Sequence, residues 1–276
     1  MKKTENYSSD YSEDLVYFQK WEPDSGVKNG CIILIHGLGE HSRRYDGDFS
    51  NFWIDKGFTI LTFDIPGFGR SSGKRGHLQK PEELFTILDD LIQSAKSEFT
   101  GKPIVIYGHS MGGEIALWYG LLQHPEISGL IASAPSIGPK DEVPKMKVFL
   151  AKLMDKVFPA VIMDNGLNID FLSKDKKVVE AYKADPLVHR KVSARTGMMI
   201  LDKGKWVLEN AHLNRNQILV MVGSEEGLVN PVAIQNFCDN SPNVDLKLWP
   251  GLFHELHNEP EYYDVMNYTY SWILNL

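Results

Sequence analysis

The sequence predicts one large α/β domain with a mostly parallel central sheet flanked by helices and interrupted by an inserted helical segment. Three observations lead there: short apolar runs recur along the chain, helix-period stretches separate them, and the strand signal stops across one long region, 136–216. A length of 276 residues suits one such domain with an insertion better than two small ones.

The apolar runs occupy 15–18, 31–35, 58–63, 103–107, 129–132, 218–222 and 244–248. Each is short and bounded by turn residues, as expected of strands buried on both faces. Helix-period stretches cover 81–99, 112–123, 231–239 and 261–274. This alternation implies βαβ units, whose ligands bind beyond the carboxyl ends of the strands. Residues 1–135 and 217–276 are therefore expected to form the core, and 136–216 a helical cap or lid. Within the insertion, Met146, Phe149, Leu150, Leu153, Met154 and Val157 share one helical face, opposed by Lys145, Lys147, Lys152 and Lys156. The helix reads either as an ordinary surface helix packed on its apolar stripe or as a lid with that stripe underneath. Its place between the strands at 129–132 and 218–222 speaks for the lid.

Composition narrows the class. A hydrophobic share of 43% with 24% charged residues fits a globular protein with a sizeable core. A net charge of -7 argues against a nucleic-acid partner, which would need a basic face. Cys31 and Cys238 lie in an apolar run and a helical stretch and imply packing, with no disulfide framework. The start MKKTENYSSDYSED has no apolar stretch behind its basic residues, so it does not read as a secretory signal. No run reaches the roughly 18 apolar residues of a membrane span, and the expected location is the cytoplasm.

The strongest chemical signal is Gly108-His109-Ser110-Met111-Gly112, a G-x-S-x-G motif after a β-type run and before a helix-forming stretch. That context projects a serine hydroxyl from a sharp turn above the sheet, as a nucleophile requires. A second strand ends in His36-Gly37-Leu38-Gly39, a turn able to offer a backbone N–H beside the serine. Acyl transfer needs two such donors for its oxyanion, and the candidates are the N–H groups of Leu38 and Met111. In this strand–turn–helix arrangement the triad follows in the order Ser, Asp or Glu, His. The histidine is then expected after the last strand, where the chain reads Trp249-Pro250-Gly251-Leu252-Phe253-His254. His257 competes three residues on. The HELH spacing is one residue short of H-E-x-x-H, so no metal site is expected. The acid is expected after the strand at 218–222, where the chain offers adjacent Glu225 and Glu226. Either carboxylate could hold the imidazole. Asp64 reads as tying down the Pro66-Gly67 turn, and His41 and His109 as packing residues.

These residues resemble the monoacylglycerol lipase-like branch of the α/β-hydrolases, in the serine aminopeptidase S33-type group. The likeness rests on HGLGEHSRRY, FDIPGFGRSSGKRGH, GHSMGG, ADPLVHRKVSARTG, GSEEGLVNP and PGLFHELHNEP, and it spans nearly the whole chain. It implies the α/β-hydrolase fold, a cap over a tunnel for one acyl chain, Ser110 and His254 as catalytic residues, and Leu38 and Met111 as oxyanion donors. It singles out Glu226, which stands before Gly-Leu-Val where the family carries aspartate. The departure bears on fine geometry, since glutamate is one methylene longer. The resemblance is weakest between 139 and 183, within the cap.

The expected reaction is two-step acyl transfer without metal or organic cofactor. The expected substrate is a small lipid ester, a monoacylglycerol first of all, and the cap is the expected site of any transient membrane-surface contact. A lysophospholipase or broad-specificity carboxylesterase would use the same residues. A non-catalytic ligand receptor on a hydrolase fold is the alternative from another class, supported only by the missing aspartate.

Overall fold

A computed structural model describes residues 1–11, 15–140 and 144–276. In chain order its elements are β1 (Lys2–Ser8), β2 (Val16–Glu22), β3 (Gly30–Ile35), α1 (Asp48–Asp55), β4 (Phe58–Phe63), α2 (Glu83–Glu98), β5 (Ile104–His109), α3 (Met111–Gln123) and β6 (Gly129–Ser133). There follow α4 (Lys145–Val157), β7 (Ile162–Asp164), α5 (Lys176–Ala184), β8 (Lys191–Ser193), α6 (Ala194–Glu209), β9 (Ile218–Gly223), α7 (Pro231–Asn240), β10 (Val244–Trp249) and α8 (Tyr262–Ile273).

Eight strands form one sheet in the order β1-β2-β4-β3-β5-β6-β9-β10. The β1–β2 and β2–β4 pairs are antiparallel, and every pair from β4 onward is parallel. The central strands alternate their side chains between two cores, as a period of two requires. Ile33 and Ile35 pack with α2, α3 and α7 on one face, while Ile32 and Leu34 pack with α1 and α8 on the other. Burial on both faces is why these strands read as unbroken apolar runs.

β1 is absent from the sequence expectation because it has no apolar alternation. Its side chains are largely exposed, and its register with β2 sets Lys2 opposite Glu22 and Tyr7 opposite Tyr17. Charge along an edge strand also discourages further pairing. Among the described residues, no helix is long and apolar enough to cross a membrane.

Between β6 and β9 lie α4 to α6 and a two-stranded antiparallel β7–β8 ladder that the purely helical expectation lacked. Three-residue strands are too short to carry a period-two signal. The segment is fastened to the loop after β3: His189 N–H donates to Gly39 O (3.0 Å), and His41 Nε2 lies 2.9 Å from Asp185 Oδ2. α4 departs from both readings of its apolar stripe. Met146, Phe149, Leu150, Leu153 and Val157 are 47–68% exposed, while Ala151, Met154 and Asp155 are turned toward the protein. The polar side of the helix makes part of its attachment, through an Arg195–Asp155 ion pair (3.0 Å) from α6. All of the stripe but Met154 therefore faces outward. Of the opposing lysines, Lys152 and Lys156 are exposed, and the side chains of Lys145 and Lys147 lie outside the described residues.

Candidate active site

The turn between β5 and α3 holds Ser110 at φ +54°, a left-handed conformation that a side-chain-bearing residue rarely adopts. Such strain costs about 1–3 kcal/mol and persists where surrounding structure enforces it. Here the Ser110 N–H donates to Ser133 O (2.9 Å), and its carbonyl accepts from Glu114 N–H (3.0 Å) and Ser136 N–H (3.1 Å). The flanking glycines are demanded by close approach. A Cβ on Gly108 would stand 2.3 Å from Gly112 O, and one on Gly112 would stand 2.2 Å from Ile35 O.

Ser110 opens onto a cavity of about 480 Å³ whose walls include Leu38, Met111, Ile137, Val192, Leu201 and Val229. Both candidate oxyanion residues thus line the same cavity as the candidate nucleophile. Met111 begins α3, whose N-terminal end favours developing negative charge.

Of the two adjacent glutamates after β9, Glu226 is the one set against His254. Its Oε2 lies 2.8 Å from His254 Nδ1, while Glu225 is exposed and accepts from Ser224 Oγ. Glu226 Oε1 accepts from the N–H groups of Leu228 (2.7 Å) and Val229 (3.2 Å), so both oxygens are engaged. Burial works against ionisation, yet the facing imidazole and these donors hold the Glu226 carboxyl below its usual range. Burial likewise opposes protonation of His254, and the Glu226 carboxylate outweighs it, raising the imidazole above its ordinary value. A carboxylate can only accept, so the neutral ring carries its proton on Nδ1 and presents Nε2 as a base. The His254 ring packs 4.8 Å from that of His109, the residue before Ser110.

The remaining candidates fall into supporting places. Asp64 accepts from Ser42 N–H and Oγ and from Arg70 N–H, and so organises the loop after β4. His257 lies buried, stacked on Tyr45 with ring centres 4.5 Å apart, and burial beside His109 depresses it to about 3. His109 is also driven well below its ordinary value, by burial and then by the charge of His254.

Sequence reasoning missed a buried ionic bridge. Arg44 donates to Glu40 Oε2 (2.5 Å) and, through both terminal nitrogens, to Glu255 Oε1 (2.6 Å) and Oε2 (2.8 Å). Glu40 Oε1 also accepts from Gly37 N–H (2.6 Å) and Tyr45 OH (2.9 Å). One guanidinium therefore joins the turn before Leu38 to the residue after His254. The i,i+4 spacing of Glu40 and Arg44 was a readable signal; the link to Glu255 spans 211 positions and was not. Arg44→Ala would leave two buried carboxylates uncompensated, so an unfolding free-energy loss of about 3–5 kcal/mol is expected, read from urea midpoints. Wild-type stability in this variant would refute the bridging role.

The family model described as serine aminopeptidase, S33, matches residues 26–261. The chain is 34% identical to a monoacylglycerol lipase of Mycolicibacterium smegmatis over 94% of this chain and 93% of that protein. It is 32% identical to phospholipase YtpA of Bacillus subtilis, covering 89% of this chain and 94% of the relative. Among solved structures, a monoacylglycerol lipase of Paleococcus ferrophilus superposes with a TM-score of 0.84 at 28% identity, covering 94% of this chain and 98% of the other. With that match running from before the His36–Gly39 turn to beyond the His254 loop, and with the sheet, the Ser110 turn and the Glu226–His254 pair laid out as above, the chain belongs to the serine aminopeptidase S33 family of α/β-hydrolases and is a carboxylic ester hydrolase.

Proposed function

We propose that this chain hydrolyses monoacylglycerols through an acyl-enzyme on Ser110. The observation that carries the reading is Ser110 on the wall of an apolar cavity of about 480 Å³, with the buried Glu226–His254 pair packed against His109, the residue before it. Such a volume suits a small ligand with an apolar body. The relatives named monoacylglycerol lipase support the choice of ester. His254 Nε2 takes the hydroxyl proton as Ser110 Oγ attacks the ester carbonyl, and the N–H groups of Leu38 and Met111 hold the oxyanion. The imidazolium returns its proton to the departing glycerol oxygen. Water, deprotonated by the same nitrogen, then releases the fatty acid and restores Ser110. Residues 136–216 act as the cap that supplies the cavity wall at Asn165, Leu167, Val192, Ile200, Leu201 and Leu208.

Initial rates on monoacylglycerols of increasing chain length, beside matching lysophospholipids and short p-nitrophenyl esters, test the reading. Highest kcat/KM on monoacylglycerols is expected, and activity confined to short esters would overturn the lipid assignment. A lysophospholipid preference would support a second reading, favoured by the phospholipase relative.

The outward apolar stripe of α4 supports transient contact with a membrane surface, where such substrates reside. An amphipathic helix of this kind lies in the interface with its apolar face buried and lysines at the headgroups. The double variant Phe149→Ser, Leu153→Ser is expected to lose sedimentation with anionic vesicles while keeping its rate on a soluble short ester. Unchanged vesicle binding would remove the contact.

A further inference from the structure

We propose that Glu259 is a positioning residue, a carboxylate clasp that fastens the loop carrying His254 to the cap segment 171–174 and thereby sets the place of the imidazole. The proposal rests on the reading of His254 as the general base. Glu259 is 1% exposed and belongs to neither the ionic bridge at Arg44 nor the Glu226–His254 pair. Its Oε1 accepts from Phe253 N–H (2.7 Å), the peptide immediately before His254. Its Oε2 accepts from Ser173 Oγ (3.0 Å) and Lys174 N–H (3.2 Å), both on the cap segment. The carboxylate is thus bonded to two chain segments that lie about 80 residues apart in sequence.

The two segments are joined further along as well. His254 N–H donates to Phe171 O (3.2 Å) and Glu255 N–H to Leu172 O (2.7 Å). Three consecutive N–H groups of the His254 loop are therefore held, the second and third by cap carbonyls and the first by Glu259. The same cap segment reaches the acid. A Cβ on Gly227 would stand 2.2 Å from the Phe171 ring, so cap and acid loop are in contact immediately beside Glu226. Lys174 Nζ is engaged elsewhere, with Glu261 Oε1 at 2.6 Å, which leaves backbone and hydroxyl donors as the partners that orient Glu259. A carboxylate in this place acts on the imidazole through the backbone. Catalytic groups need placement to about 0.5 Å, and two rigid segments clasped at one point supply it.

The test measures kcat, KM, the acid limb of kcat/KM and the melting temperature for wild type, Glu259→Ala, Glu259→Gln and Ser173→Ala. In Glu259→Ala, kcat is expected to fall on the order of 10²-fold with KM little changed, the usual penalty for displacing a catalytic group by about 1 Å. The acid limb should move to lower pH, because an imidazole drawn away from Glu226 is easier to deprotonate. Glu259→Gln keeps one acceptor for Phe253 N–H but sets its amide N–H₂ against Lys174 N–H, so it should recover only part of the loss and stay about tenfold below wild type, while Ser173→Ala should lose a few-fold. Folded Glu259 variants with wild-type kcat and acid limb would overturn the proposal, whatever their melting temperature. Should Glu259→Ala not fold, wild-type kcat and acid limb in both Glu259→Gln and Ser173→Ala would overturn it equally. A wild-type protein without esterase activity would instead remove the reading of His254 as base, so the two failures are distinguishable.

Discussion

Replacing Ser110 by alanine is expected to lower kcat by roughly 10⁶-fold while leaving the fold in place. In the proposed mechanism the Ser110 hydroxyl supplies the oxygen that forms the acyl-enzyme bond, and alanine has none. The turn itself does not depend on that hydroxyl: Ser110 is held by its own backbone N–H and carbonyl, bonded to Ser133, Glu114 and Ser136. Alanine can keep the same backbone, so the melting temperature should change little. Covalent labelling by a fluorophosphonate, with mass spectrometry of the modified peptide, reads the loss directly. Full esterase activity in a folded Ser110→Ala protein would end the acyl-enzyme mechanism.

Glu226→Gln is the second large effect, with kcat expected to fall by about 10⁴-fold. The geometry says why an isosteric amide fails. Both oxygens of Glu226 face donors, Oε1 the N–H groups of Leu228 and Val229, and Oε2 the Nδ1–H of His254. Glutamine offers one acceptor for two places that each require one. With its oxygen on the backbone side, the amide N–H₂ confronts Nδ1, which favours the tautomer with Nε2 protonated and no lone pair for the serine proton. A pH effect follows with a definite sign. Protonated His254 cannot act as base, so activity disappears as pH falls through its pKa, which Glu226 holds above the ordinary 6.5 despite burial. Without the carboxylate that acid limb should move to lower pH. Glu226→Asp keeps the charge on a shorter arm and should lie between wild type and Glu226→Gln. A Glu226→Gln enzyme with wild-type kcat and acid limb would exclude Glu226 from the triad.

The sheet was legible because strands buried on both faces must be largely apolar, and β3, β4, β5 and β9 are buried at every position. The serine turn was legible because its geometry excludes side chains at 108 and 112, which writes glycine into the sequence on either side of Ser110. β1 was not, since an exposed edge strand carries no apolar period and is defined by its partner. The orientation of α4 was not either. An amphipathic pattern states that a helix has two faces, and it does not state which of them is turned to the protein.

By itself the sequence determined the α/β class and marked Ser110 and the late His254 as candidates, because each rests on backbone geometry or chain order that only certain residue types satisfy. Tertiary structure alone set Glu226 and not Glu225 against His254, brought Arg44 between Glu40 and Glu255, and set Glu259 against the His254 loop and segment 171–174. Those contacts join segments far apart in the chain. A carboxylate's role depends on which donors the fold brings to it, and nothing in the local spacing of an acidic residue specifies them.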